Sequence, residues 1–221
     1  IPVYPDWIKG IACALGSAGL AFLYSGDMIA FIVTVICSLI GYFGRTLSVR
    51  FGCNEYVGIA IGGFAAMVSA YGFYSHIEQD SLVYVLVCCT LFMIPGVPLI
   101  NSVIDTINNH ILSGITRAIR TILIVGSMTL GMAMALYFSP MPAFSFVDIK
   151  PHVLSIEQII GSFTAAASFA VLFNAPVRLL VSIGIGGVLC VFTRNLLAVE
   201  FGFSIPGATF VGAAVTVSYT H

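Results

Sequence analysis

The sequence predicts an all-α, polytopic helical membrane protein made of inverted five-span repeats, with one proline/glycine-broken helix and a truncated second repeat. Three observations predict it. Of the 221 residues, 59% are hydrophobic and 8% are charged, and the mean hydropathy is +1.08, whereas a soluble domain carries roughly 45–50% and 25%. The chain is a series of apolar runs close to the ~20 residues that cross a hydrocarbon core of about 30 Å. Finally, a shift of 149 residues lays spans one to three on spans six to eight without a gap.

The first span is expected from about Trp7 to Tyr24, with an aromatic side chain anchoring each end at an interface. After the turn Ser25-Gly26-Asp27, span two runs from about Met28 to Val49. The loop holding Arg50, Cys53, Asn54 and Glu55 leads to span three, from about Tyr56 to Tyr74. Span four begins at Leu82 and meets Pro95 after only about 20 Å of helix at ~1.5 Å per residue, so the break falls in the membrane or at its far edge.

Pro95, Gly96 and Pro98 stop that helix, because proline removes a backbone donor and clashes with the preceding turn. A helix over 99–112 is expected next. Ile100, Val103, Ile104, Ile107 and Ile111 lie on one face and Asn101, Asp105 and Asn108 on the other. Span five follows from about Arg117 to Phe138, and residues 139–155 form a linker with three prolines. Span six covers about Ile156 to Phe173, span seven Val177 to Leu197, and span eight starts near Phe203. The domain division is therefore 1–148 for the first repeat and 149–221 for the start of the second.

Under the 149-residue shift Arg45 pairs with Arg194, Leu23 with Leu172, Phe43 with Phe192 and Gly63 with Gly212. Apolar pairs arise cheaply in such a chain; the arginine pair does not. Cys13, Ser17 and Ala21 align with Ser162, Ala166 and Ala170, a small-residue face that lets helix backbones approach. Five spans separate equivalent points, and an odd number inverts the second copy, the arrangement common in secondary transporters. Alternating the spans puts Lys9, Arg45, Arg50, Arg117, Arg120 and Arg178 on one side, with Lys150 and Arg194 on the other. The first side, and with it the N-terminus, is then cytoplasmic.

The stretch PGVPLINSVIDTINNHILSGITR at 95–117, followed by FAVLFNAPVRLLVSIGIGGVLCVFTRNLL at 169–197, resembles the bacterial threonine/serine exporter family. The first run is similar to the family's proline-glycine motif with its N-x-x-x-D and L-S-G continuation, and the second to its C-terminal membrane half. The resemblance implies a ten-span inner-membrane exporter of two similar halves, sometimes carried on two polypeptides linked to succinate export. Because residue 221 corresponds to residue 72 under the 149-residue shift, the protein is also expected to continue past His221 for two more spans, preceded by a second proline-glycine break.

Each candidate site residue has a plain reading beside a functional one. Asn101, Asp105 and Asn108 are either the wetted face of an interfacial helix or the lining of a path, with Asp105 binding an ammonium or carrying a proton. Arg45 and Arg194 either snorkel to headgroups or clamp a carboxylate. The break at Pro95, Gly96 and Pro98 is either a surface loop or a set of free backbone groups facing a cavity. Cys13, Cys37, Cys53, Cys88, Cys89 and Cys190 have no ligand spacing and read as small helix residues, so neither metal nor cofactor is expected. Nor is there a partnered nucleophile or a phosphate-cradling loop, and an enzyme is not expected.

The function expected is a secondary transporter exporting small amino acids, threonine and serine, from the cytoplasm by proton antiport. A dicarboxylate (succinate) exporter and a non-coupled channel or scramblase are the alternatives. The expected partners are that small-molecule substrate and the lipid bilayer, with no nucleic acid and with homo-oligomerisation left open.

Overall fold

The computed structural model describes residues 4–25, 27–77, 79–139 and 155–220. They form helices α1 (Asp6–Ser25), α2 (Met28–Arg50), α3 (Glu55–Gly72), α4 (Gln79–Cys88), α5 (Gly96–Ile107), α6 (Ile111–Phe138), α7 (Ile156–Leu172), α8 (Leu180–Glu200) and α9 (Ile205–Thr220). No strand occurs among the described residues. The 140–154 linker, Lys150 and the expected domain boundary lie outside them.

By length and composition, Asp6–Ser25, Met28–Arg50, Ile111–Phe138 and Val177–Glu200 can each cross a membrane, and the bent pair Ser81–Met93 and Gly96–Ile107 meets the same standard as one broken span or a re-entrant loop. The expected eight spans therefore include three, at α3, α7 and α9, that fall short of this length-and-composition standard.

The largest departure from the expected boundaries surrounds the break. Helix α4 ends at Cys88, well before Pro95, and a single 3-10 turn at Leu91–Met93 follows. The α5 axis then leaves at 54°. Pro98 lies inside the first turn of α5, where a missing N–H costs no intrahelical bond, so the amphipathic helix begins at Gly96 and not at 99. It ends at Ile107, not 112. Asn109 takes a left-handed φ of 62° and the His110 N–H donates to the Asp105 carbonyl at 2.8 Å, closing a tight turn into α6. Span five consequently starts at Ile111, earlier than Arg117.

Inside and outside are sorted by size more than by polarity. Along α2, Ala30, Val33, Thr34, Cys37, Ser38 and Gly41 are buried, while Ile29, Ile32, Ile36, Ile40 and Leu47 face outward. That is the expected ordering where the outer solvent is as apolar as leucine and close backbone packing drives association. Helix α4 is wedged among α1, α2 and α3, and its Leu82, Val85, Leu86 and Cys89 neighbourhood joins Val33, Cys37, Ala66 and Met67 in the core. The Ser38 hydroxyl donates to the Cys89 carbonyl at 3.4 Å, helping to satisfy a helix end that has no water to turn to. Helix α6 packs on α3 and, at its start, on α5.

Two chains of contact have the same form. Helix α2 packs between α1 and α3, α8 packs between α7 and α9, and α1 packs along α7. A methyl on Gly19 would lie 2.8 Å from the Ala165 nitrogen, one on Gly16 3.3 Å from Ser168 Cβ, and one on Gly161 2.9 Å from the Leu23 nitrogen. Rising along α1 therefore means descending α7, so the two helices are antiparallel. Ala165 and Ser168 are the shifted counterparts of Gly16 and Gly19. Position 16 thus meets the counterpart of 19, and 19 meets the counterpart of 16.

Candidate transport site

A cavity of about 390 Å³ opens between α1, α2, α7 and the break. Leu20 enters from α1, Tyr42 and Arg45 from α2, Gly96 from the break, and Phe169 and Phe173 from the end of α7. Leu20 and Phe169 are counterparts under the 149-residue shift. The segment between α4 and α5 closes one side of it through Leu91, Phe92 and Ile94.

Arg45 supplies the cavity's cation. Helix α2 meets α3 where a Cβ on Gly62 would lie 2.8 Å from the Gly41 carbonyl and 2.9 Å from Arg45 Cβ. That close approach holds the arginine against the start of α3, and its Nη2 stands 3.5 Å from Glu55 Oε1. Glu55 Oε2 in turn accepts from Arg120 of α6 at 3.0 Å. Tyr42 donates its hydroxyl to the Asp6 carbonyl at 3.1 Å, which ties this wall to the start of α1.

The break adds backbone polarity. Gly96 N–H donates to the Ile94 carbonyl and Leu99 N–H to the Pro95 carbonyl, so Gly96 does not serve the Phe92 carbonyl as a continuing helix would, and among the described residues no backbone N–H reaches the Phe92 or Met93 carbonyl. Of the expected site residues, Arg45 and Gly96 share the cavity, with Pro95 buried beside Gly96.

The others lie elsewhere. Asp105 is 3.2 Å from Arg117 and accepts from the Ser113 hydroxyl at 2.9 Å, so its carboxylate clasps the α5–α6 hairpin. Asn101 is half-buried and Asn108 exposed on the same helix; neither lines the cavity, and Pro98 does not either. Arg194 donates its Nε–H to Asn195 Oδ1 at 3.1 Å and lies over the Tyr24 ring. It therefore belongs to the end of α1 remote from Arg45.

Most of the cations gather at one end. The Tyr4 hydroxyl donates to the Ala175 carbonyl at 2.8 Å, placing the loop before Arg178 beside the start of α1. Asp6 pairs with Arg50 at 3.1 Å there, and the Glu55 and Asp105 pairs bring Arg45, Arg120 and Arg117 to the same side. Six of the eight Lys and Arg residues, Lys9 included, fall at this end.

Sequence reasoning missed Glu55, Tyr42 and Phe169. Glu55 carried a signal: it is one of nine acidic residues in the whole chain and sits ten positions after Arg45, across a short turn. Tyr42 and Phe169 carried none, since aromatic residues are common in apolar spans.

The family model described as "Putative threonine/serine exporter" matches residues 1–139, and a second, "Threonine/Serine exporter, ThrE", matches residues 158–221. Among curated proteins the chain is similar to the "Probable succinate transporter subunit YjjP" of Klebsiella aerogenes, 25% identical over 141 residues, covering 60% of this chain and 52% of the relative. The protein of the same name in Escherichia coli is 25% identical over 134 residues, with the same coverage. The chain thus spans about half the length of the curated relatives it matches. No solved structure matches it.

Proposed function

The chain belongs to the threonine/serine exporter family, and on that premise we propose that it is part of a secondary transporter that moves small amino acids, threonine and serine, out of the cytoplasm. The observation that carries this reading is the meeting of Arg45 with the Gly96 break in one cavity. A guanidinium suits a carboxylate, and the carbonyls freed at the break suit an ammonium.

The transport cycle proposed is rocking of one inverted repeat against the other, as in transporters of that architecture. Its support is the reciprocal, antiparallel packing of α1 on α7 at counterpart positions, since a two-fold relation makes i touch j and j touch i. Arg194 then serves the opposite end of the path, with Pro95 and Pro98 fixing the break. Asp105 carries the antiported proton: protonation cancels its pairing with Arg117 and loosens the α5–α6 hairpin, on which Asn101 and Asn108 ride. The cytoplasmic, inner-membrane orientation rests on the gathering of cations at the end that holds the N-terminus. Assembly with further chains is supported by the relatives' printed names as subunits.

Those same names support a second reading, export of a dicarboxylate such as succinate. Full-length protein in proteoliposomes, offered threonine, serine and succinate, separates the two. Saturable export of threonine and serine, slowed by an uncoupler, is the expected result. Non-saturating flux of all three would make the protein a pore.

A further inference from the structure

The cavity's arginine is already in use. Glu55, in the first turn of α3, is shared between Arg45 of α2 at 3.5 Å and Arg120 of α6 at 3.0 Å. Arg45 is the more sheltered of the two, its side chain 32% exposed against 58% for Arg120. The Glu55–Arg45 contact is therefore the less screened half of the bridge. Nothing in the proposed transport cycle employs this carboxylate.

We infer that Glu55 determines the charge class of the substrate: the Arg45 cavity accepts a carboxylate that arrives with a cationic group and turns away a dianion. The inference rests on the reading of that cavity as the transport site. Arg45, Arg120 and Glu55 together carry one net positive charge. A zwitterion can place its carboxylate on Arg45 and its ammonium beside the displaced Glu55, so each half of the opened pair finds an opposite charge. Leaving either half uncompensated is the less favourable alternative, by the modest amount expected of a partly exposed pair.

A dianion solves only half of that exchange. One of its carboxylates takes Arg45, but the second meets Glu55 with the same sign. Glu55 stands behind Arg45 and not in the cavity lining; Arg120 stays engaged with it at 3.0 Å, and the lining side chains, among them Leu20, Tyr42, Phe92 and Phe169, bring no second cation. Like charges brought together disfavour occupancy.

The device belongs to one end of the molecule. The counterpart of Glu55 is Ser204, and Arg194 meets Tyr24 and Asn195, with no ion pair to a carboxylate among the described residues. Charge selection is accordingly exercised where Arg45 stands and not at its shifted partner.

The test measures binding of radiolabelled threonine and succinate to purified full-length protein, as wild type, Glu55→Gln and Glu55→Asp. In parallel, the rate at which phenylglyoxal, which needs a free guanidinium, modifies Arg45 is followed by mass spectrometry. Wild type should prefer threonine; Glu55→Gln should weaken threonine and strengthen succinate, each by about tenfold, and should speed Arg45 modification severalfold. Glu55→Asp, which keeps the charge, should keep the wild-type preference.

An unchanged threonine-to-succinate ratio in Glu55→Gln, or a wild type that prefers succinate, overturns the inference while leaving a transport cavity in place. A wild type that binds neither solute, although Arg45 modification still accelerates in Glu55→Gln, removes both the transport reading and the selectivity built on it.

Discussion

The Arg194 guanidinium lies over the ring of Tyr24, 5.9 Å from its centroid, and fastens α8 to the end of α1. The same two positions shifted by 149 residues are Arg45 and Phe173, and these line one open cavity. Tyr24 is further stacked on Tyr84, with ring centroids 6.0 Å apart. One arginine–aromatic end is therefore packed and the other open, the kind of asymmetry a rocking exchange would reverse.

The α1/α7 contact is expected to tolerate no side chain at its centre. Gly19→Val would press a Cβ against backbone atoms of Ala165 and Gly161, a strain of about 1–3 kcal/mol or more. Gly126→Ala, at a position with nothing within 4 Å, serves as the control. Thermal stability of the detergent-solubilised protein should drop for the first and hold for the second.

The pairing itself can be trapped. A Cβ on Gly16 lies 3.3 Å from Ser168 Cβ, near the separation a disulfide bridges. Gly16→Cys with Ser168→Cys, in a background lacking the native cysteines, should cross-link under mild oxidation. A protease cut engineered into the 140–154 linker makes the link visible on a gel, and two separate fragments under oxidising conditions would disprove the contact.

Substitutions at Arg45 report how its guanidinium is used. Charge alone is kept by Arg45→Lys and lost in Arg45→Ala. If the fork geometry matters, both should raise the substrate KM by similar factors, roughly tenfold or more for about 1.4 kcal/mol. A lysine variant close to wild type would reduce Arg45 to a point charge.

Proton coupling through Asp105 is tested by Asp105→Asn. The variant keeps the shape and breaks the 3.2 Å pair with Arg117, at a stability cost of about 1 kcal/mol for a pair with one partner half exposed. Export should stop or lose its response to an uncoupler, with normal insertion into the membrane. Wild-type rates with an unchanged uncoupler response would leave Asp105 as a hairpin clasp and nothing more.

Orientation is read by labelling. Cys53 is exposed beside Arg50 at the basic end, and Ser75 is exposed after α3 at the other. With all other cysteines replaced, Ser75→Cys should react with an impermeant maleimide in intact cells, and Cys53 alone only after permeabilisation. The opposite pattern would turn the protein over in the membrane.

The sequence by itself determined the class, because a helix is the structure whose backbone can satisfy itself in lipid, and 59% apolar residues in long runs permit little else. It also located the break at Pro95-Gly96, since proline chemistry is local. It misjudged where α5 begins and ends, as propensity does not fix which turn a proline may occupy. Which carboxylate serves which arginine was decided by tertiary structure alone. Asp105 was the acid the polar stripe singled out, yet it closes onto Arg117 across the α5–α6 turn, and Glu55 reaches Arg45 and Arg120. Coulomb attraction falls off with distance through space, and only the packing of α2, α3 and α6 sets which helix ends meet.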